Sequence, residues 1–199
     1  MLRRRGTSAE GNARVEREIF EEFTDQCAVM ILDASGFTRL TQAHGIIHFL
    51  ALVVAMRDLA EPCLAAENAL ATWYEADNIY AVFNSPVEAV RAALAVQDAV
   101  MSANAQRPET DQLPVCIGIG WGRMLRIGAE DVFGDQMNLA SKLGEDIAGP
   151  DEVLVTEAVW EAVQGRIPDT TAEPRSQRVS GVEIPYRAIR RVSDNGPPR

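Results

Sequence analysis

The chain has 199 residues, 47% of them apolar and 24% charged, the balance of an ordinary globular protein of about one domain. Nineteen basic against 29 acidic residues give a net charge of −10, which argues against a protein that tracks nucleic-acid phosphates with a basic stripe. A small phosphorylated ligand stays open, because it needs only local positive charge or a metal.

The N-terminus opens on Met1 and Leu2 followed by three arginines, as a signal peptide would, but the polar stretch 6–10 stands where an apolar segment should be. Residues 1–11 read as disordered. Val15, Ile19 and Phe23 recur every four residues and predict a short amphipathic helix, for packing or for passing a signal to the next element. Residues 27–32 form a continuous apolar run ending at Asp33, which predicts a strand buried on both faces. A turn over 35–38 follows, then a helix from about His48 to Glu67. The apolar run 46–56 within this region is far short of the ~20 residues of a membrane span. Two short strands, 70–74 and 79–83, flank Glu75-Ala76-Asp77-Asn78 and predict a hairpin. Ser85-Pro86-Val87-Glu88 predicts a helix start with Ser85 as cap and Glu88 closing a capping box.

Further on, 115–121 reads as a strand with 124–127 pairing back on it. A helix runs from near Gly134 to near Gly144, and a strand over 152–155 leads to a helix capped by Thr156. Two last strands lie near Arg178 and over 184–189. Cys27, Cys63 and Cys116 are widely spaced without Cys-x-x-Cys pairing, so they read as reduced thiols in the cytoplasm. The expected organisation is an N-terminal segment and helix (1–24), a folded domain (25–191) and a disordered tail (192–199). The element order mixes hairpins with crossover helices, which predicts an α+β fold with a mostly antiparallel sheet.

Two acidic residues stand at special places. Asp33 ends a buried strand before a glycine turn, and Asp77 sits at a hairpin tip. If those strands are neighbours, the carboxylates converge at one edge of the sheet and could hold a hard cation such as Mg²⁺, while the N–H groups of the 34–38 turn attract a triphosphate. Alternatively, Asp33 caps a helix and Asp77 is a turn residue. A second cluster pairs Asn138 with Lys142, four apart on one helix face; an amide and an ammonium there suit a sugar and a phosphate, or simply make a solvated face. Lys142 is the chain's single lysine.

Three segments together resemble the catalytic domain of class III adenylate/guanylate cyclases: Leu32-Asp33-Ala34-Ser35-Gly36-Phe37-Thr38-Arg39-Leu40, Glu75-Ala76-Asp77-Asn78-Ile79-Tyr80-Ala81-Val82-Phe83, and Val132-Phe133-Gly134-Asp135-Gln136-Met137-Asn138-Leu139-Ala140-Ser141-Lys142. The resemblance covers roughly 25–191. It implies a ferredoxin-like βαββαβ core working as a head-to-tail homodimer. It implies two Mg²⁺ or Mn²⁺ ions held by Asp33, Asp77 and the Ala34 carbonyl, and a triphosphate held by the backbone of Gly36, Phe37 and Thr38. The partner protomer would supply Asp131 for the base and Asn138 for the ribose. The implied reaction turns a nucleoside triphosphate, ATP before others, into its 3′,5′-cyclic nucleotide and pyrophosphate.

The chain also departs from that family. Trp73 stands where a purine-reading lysine is usual, and can stack on a base but offers one N–H donor. Lys142 replaces a transition-state arginine, keeping the charge but losing the bidentate fork. Ser180 aligns with a triphosphate-binding lysine, for which Arg175 or Arg178 would have to compensate. Ala76 replaces a glycine, and the segment between Gly122 and Asp131 is short, trimming the dimerisation arm. Three functions therefore compete: an active cyclase, a catalytically weak cyclase-like module that binds nucleotide or regulates a partner, and an unrelated α+β interaction domain.

Overall fold

The computed structural model describes residues 9–128, 131–179 and 181–192. Helix α1 (Ala9–Phe23) leads into strand β1 (Thr24–Ala34), then α2 (Phe37–His44), α3 (Ile46–Ala66), β2 (Ala71–Glu75), β3 (Asn78–Phe83) and α4 (Pro86–Asn104). The second half holds β4 (Val115–Ile127), β5 (Asp131–Phe133), α5 (Asp135–Ser141), β6 (Glu152–Thr156), α6 (Glu157–Val163), β7 (Thr170–Val179) and β8 (Val182–Arg191).

The strands form one sheet in the order β2-β3-β1-β4-β6-β8-β7, with β5 paired to β4. The order β2-β3-β1-β4 with its crossover helices is the ferredoxin-like core. Among the described residues the pairings are antiparallel except β4 with β6.

Strand β1 is the axis. It pairs with β4 from Thr24 opposite Leu125 to Ala34 opposite Val115, and with β3 from Ala28 opposite Phe83 to Leu32 opposite Ile79. Residues 27–32 are 0–1% exposed, so the strand is buried on both faces as its composition predicts. Alternation sends Ala28, Met30 and Leu32 into the main core beneath α3 and α4, while Cys27, Val29 and Ile31 face a smaller core with Trp73, Tyr80, Met124 and Ala140.

That second face is closed by α5, which lies unusually near β4. A Cβ on Gly118 would come 2.1 Å from the Ala140 carbonyl oxygen and 2.4 Å from the Gly144 nitrogen. Gln136 pins the helix further, its Oε1 accepting from the Trp121 N–H at 3.3 Å and the Thr156 hydroxyl at 2.9 Å.

Several local expectations are corrected. Helix α1 already begins at Ala9, inside the segment read as disordered. Residues 115–127 form one strand, not two pairing with each other, because β1 offers an eleven-residue partner and β5 takes the far end. The helix after Gly134 does not stop at Gly144; α5 passes into a π turn over Lys142–Ile147. Ser85 caps α4, accepting from the Val87 N–H at 3.2 Å, but Glu88 does not complete the box: its buried Oε2 has no partner. Thr156 precedes α6 without capping it, since its hydroxyl is spent on Gln136. Apart from Val192, whose N–H donates to the Asp169 carbonyl at 2.8 Å, the expected tail lies outside the described residues.

The contact at Gly118 generates a direct expectation. Gly118→Ala must push α5 off β4 and should cost about 3 kcal/mol or more in urea unfolding. A loss below about 1 kcal/mol would mean that α5 does not seat this closely.

Candidate active site

The end of β1 places Asp33, half-buried, opposite Cys116 of β4. Asp77 is the second residue of the two-residue turn between Glu75 and Asn78. Because β3 lies beside β1 with Ile79 opposite Leu32, both carboxylates come to the same end of adjacent strands. Burial pushes the Asp33 carboxyl up to about 7, the charges of Asp77 and Glu145 push it the same way, and the Ala34 N–H draws it partly back. Burial likewise raises the neighbouring Cys116 thiol to about 11, with the charge of Asp33 adding to it.

Carboxylates crowded in this way are relieved by a cation, and an all-oxygen donor set suits a hard one. Two carboxylates and the Ala34 carbonyl would leave positions for water and phosphate oxygens, the partial cage Mg²⁺ accepts. Among the described residues no group of three or more His, Cys, Asp or Glu side chains is placed to hold a metal ion.

The turn bearing Asp77 is strained. Ala76 sits at φ 51, in the left-handed region that favours glycine. The Arg57 guanidinium of α3 donates to the Ala76 carbonyl and lies 4.7 Å over the Tyr74 ring, bracing the turn from one side.

Gly36, at φ 110 and ψ 14, opens α2. The first-turn N–H groups of Phe37 and Thr38 have no partner within the helix. Arg39 is not free beside them: its guanidinium donates to the carbonyls of Glu109, Thr110 and Gln112 at 3.4, 3.2 and 3.0 Å. It ties the turn to the short 3₁₀ helix Glu109–Asp111 and to Gln112 at its end.

The other candidates lie on further elements. Trp73 is buried at 8% exposure, its ring stacked on Tyr80 at 5.1 Å and 8°. One of its faces is therefore already taken. Asp131 is exposed and pairs with Ile127, eleven residues along β4 from Cys116, or about 35 Å of extended strand. A single chain does not bring Asp131 to Asp33. Asn138 is exposed on α5, and Lys142 pairs with Asp146 one turn on. Arg175 is held by Glu152 at 2.7 Å and Glu173 at 2.9 Å, and the Arg178 Nε donates to the Gly181 carbonyl at 3.3 Å. Ser180 lies outside the described residues.

Glu145, Asn78 and Tyr80 form a connected group that the motifs do not reveal. Glu145 Oε1 accepts from Asn78 Nδ2 at 3.1 Å and from the Tyr80 hydroxyl at 3.3 Å. No sequence signal marks Glu145, because its direction depends on the π turn. Gln136 could have been suspected: glycines at 118, 120 and 122 alternate along one strand face, which signals a close helix above them.

No protein-family model matches the chain. A Rhizobium meliloti protein named "Putative adenylate cyclase 3" is 27% identical over 158 residues, covering 79% of this chain and 27% of that protein. The Myxococcus xanthus serine/threonine-protein kinase pkn2 is 29% identical over 146 residues, covering 73% of this chain and 17% of the kinase. The chain thus spans about a quarter or less of the curated relatives it matches. The crystal structure of an adenylate/guanylate cyclase/hydrolase from Silicibacter pomeroyi superposes with a TM-score of 0.72 at 25% identity, over 86% of this chain and 98% of that one. The fold is that of a class III cyclase catalytic domain.

Within this cyclase fold, the elevated Asp33 carboxyl has a consequence for stability. Its folded pKa lies above the unfolded value of ~3.9, so the folded state binds the proton more tightly, and the stability this brings is lost as pH rises from about 4 through about 7. Because the group is half exposed, solvent screening leaves on the order of 1 kcal/mol. With chelator present, Asp33→Asn should raise the Tm at pH 8 by a few degrees and have little effect at pH 4. An equal effect at both pH values would contradict this electrostatic account.

Proposed function

We propose that this chain is the catalytic unit of a class III nucleotide cyclase. It converts a nucleoside triphosphate, ATP most readily, into a 3′,5′-cyclic nucleotide and pyrophosphate, in a head-to-tail homodimer in the cytoplasm. The observation that carries the reading is the meeting of Asp33 and Asp77 at one end of β1 and β3, close enough for one charge to weigh on the other. The likeness in fold to a cyclase crystal structure supports it. Among the described residues no helix is long and apolar enough to cross a membrane.

The reaction forms a bond between the ribose 3′ oxygen and the α-phosphorus, breaks the bond to the β-phosphate oxygen, and releases the 3′ hydroxyl proton. Asp33, Asp77 and the Ala34 carbonyl would hold the divalent ions, Mg²⁺ or Mn²⁺. When bound, those ions lower the pKa of the hydroxyl and neutralise charge developing on the phosphates. The Gly36, Phe37 and Thr38 N–H groups would seat the triphosphate at the start of α2. Asn138 would orient the ribose so that its 3′ oxygen stands in line, and Lys142, released from Asp146, would answer the transition-state charge. Both would come from the partner protomer, as would Asp131 for the base; the long separation of Asp131 from Asp33 within one chain supports that division. Trp73 could meet a base only if its stack on Tyr80 opened or its second face became available.

A catalytically weak, nucleotide-binding module is the second reading. It is favoured by the burial of Trp73 and the commitment of Lys142 to Asp146 and of Arg175 to Glu152 and Glu173. Pyrophosphate release from each of the four nucleoside triphosphates with Mn²⁺, with product identified by mass, separates the two.

Under the first reading, Asp33→Ala or Asp77→Ala should reduce turnover by roughly a thousandfold or more while leaving the circular dichroism spectrum unchanged. Retained turnover would refute the metal assignment. Mixing equal amounts of Asp77→Ala and Asn138→Ala protomers should restore about a quarter of wild-type activity, because half the dimers are mixed and each has one intact site of two. No recovery in verified mixed dimers would place the site within one chain.

A further inference from the structure

The group around Glu145 has a geometry that the cyclase motifs leave unused. Asn78 directly follows Asp77 and closes the β2–β3 turn opposite Glu75. By alternation Asn78 and Tyr80 stand on the same face of β3. Asn78 Nδ2 donates to the Tyr80 hydroxyl at 3.3 Å and to Glu145 Oε1 at 3.1 Å, and the Tyr80 hydroxyl donates to the same Oε1 at 3.3 Å. One carboxylate oxygen thus gathers the two side chains that lead out of the Asp77 turn.

Glu145 reaches them because α5 ends in a π turn. The wider turn changes the direction of every residue after Lys142 relative to an α-helical continuation. The segment cannot simply drift, since a Cβ on Gly144 would lie 2.9 Å from the Ile31 carbonyl oxygen. Glu145 therefore leaves a backbone seated directly on β1. On the opposite flank, Arg57 bonds the Ala76 carbonyl. The Asp77 turn, strained at Ala76, is held from both sides.

We infer that Glu145 is a positioning residue for the Asp77 carboxylate, acting through its hydrogen bonds to Asn78 and Tyr80 and not as a ligand of the ions. The inference rests on the cyclase reading for its functional meaning and concerns the same site. Glu145→Gln keeps an acceptor oxygen for both donors and removes the charge. Glu145→Ala removes both. A positioning role needs the acceptor, whereas a ligand or a purely electrostatic role needs the charge.

The test is Mn²⁺ binding to the full chain without nucleotide, followed by electron paramagnetic resonance of the free ion, alongside turnover. Glu145→Ala should weaken Mn²⁺ binding roughly tenfold and raise the Mn²⁺ concentration needed for half-maximal turnover by a similar factor. Glu145→Gln should stay within about threefold of wild type. Asn78→Ala should lose affinity as Glu145→Ala does, and the double variant should lose no more than either alone. Glu145→Ala binding like wild type would overturn the inference. So would Glu145→Gln binding as weakly as Glu145→Ala, or full additivity in the double variant. A wild-type chain that binds Mn²⁺ with this variant pattern yet turns over no nucleotide would sink the cyclase reading and leave the positioning role standing. A wild-type chain that binds no Mn²⁺ would overturn the metal assignment and this inference together.

Discussion

Everything at the candidate site follows from β1 being covered on both faces. A strand with 0–1% exposure from Cys27 to Leu32 cannot shift register without turning one core face toward the other. Its eleven-residue pairing to β4 fixes it along its length, and its pairing to β3 fixes the hairpin beside it. Asp33 is therefore delivered to a set place, partly out of water and beside charges of its own sign. That arrangement is unfavourable in itself and would be relieved by the proposed divalent ions.

The second face of β1 sets how near the helix carrying Asn138 can come. Gly118 and Gly120 give α5 backbone-to-backbone contact with the sheet, and Gln136 locks it by bonding both β4 and β6. With the inner side of α5 packed so tightly, Asn138 is left exposed on its outer side. In the proposed homodimer this outer side would be the one turned to the partner.

The long-range plan was legible because it rests on coarse signals. The apolar run ending at Asp33, the polar Glu75–Asn78 turn and the Ser85-Pro86 start each produced the expected element. What failed depended on competition between partners. Thr156 reads as a cap, yet Gln136 offers its hydroxyl a better-placed acceptor. Residues 115–121 and 124–127 read as two pairing strands, yet β4 runs through both unbroken, and its glycines make room for a helix. At the site, the convergence of Asp33 with Asp77 was foreseeable from strand adjacency. The contribution of Glu145 was not, since nothing in Lys142-Leu-Gly-Glu145-Asp-Ile147 announces a π turn in place of the last turn of an α-helix.

That π turn joins two groups of the candidate site. Lys142 opens it and Glu145 lies within it, one reaching Asp146 and the other the Asp77 hairpin. In the proposed head-to-tail dimer, Asp77 would serve one composite site while Asn138 and Lys142 of the same chain serve the other. The end of α5 would thus touch both sites, through Lys142 at one and through Glu145, Asn78 and Tyr80 at the other. The two sites of such a dimer would be linked through packed groups inside each protomer as well as across the interface. A lysine is suited to that arrangement, because its single ammonium can exchange one carboxylate for a phosphate without rebuilding a bidentate pair.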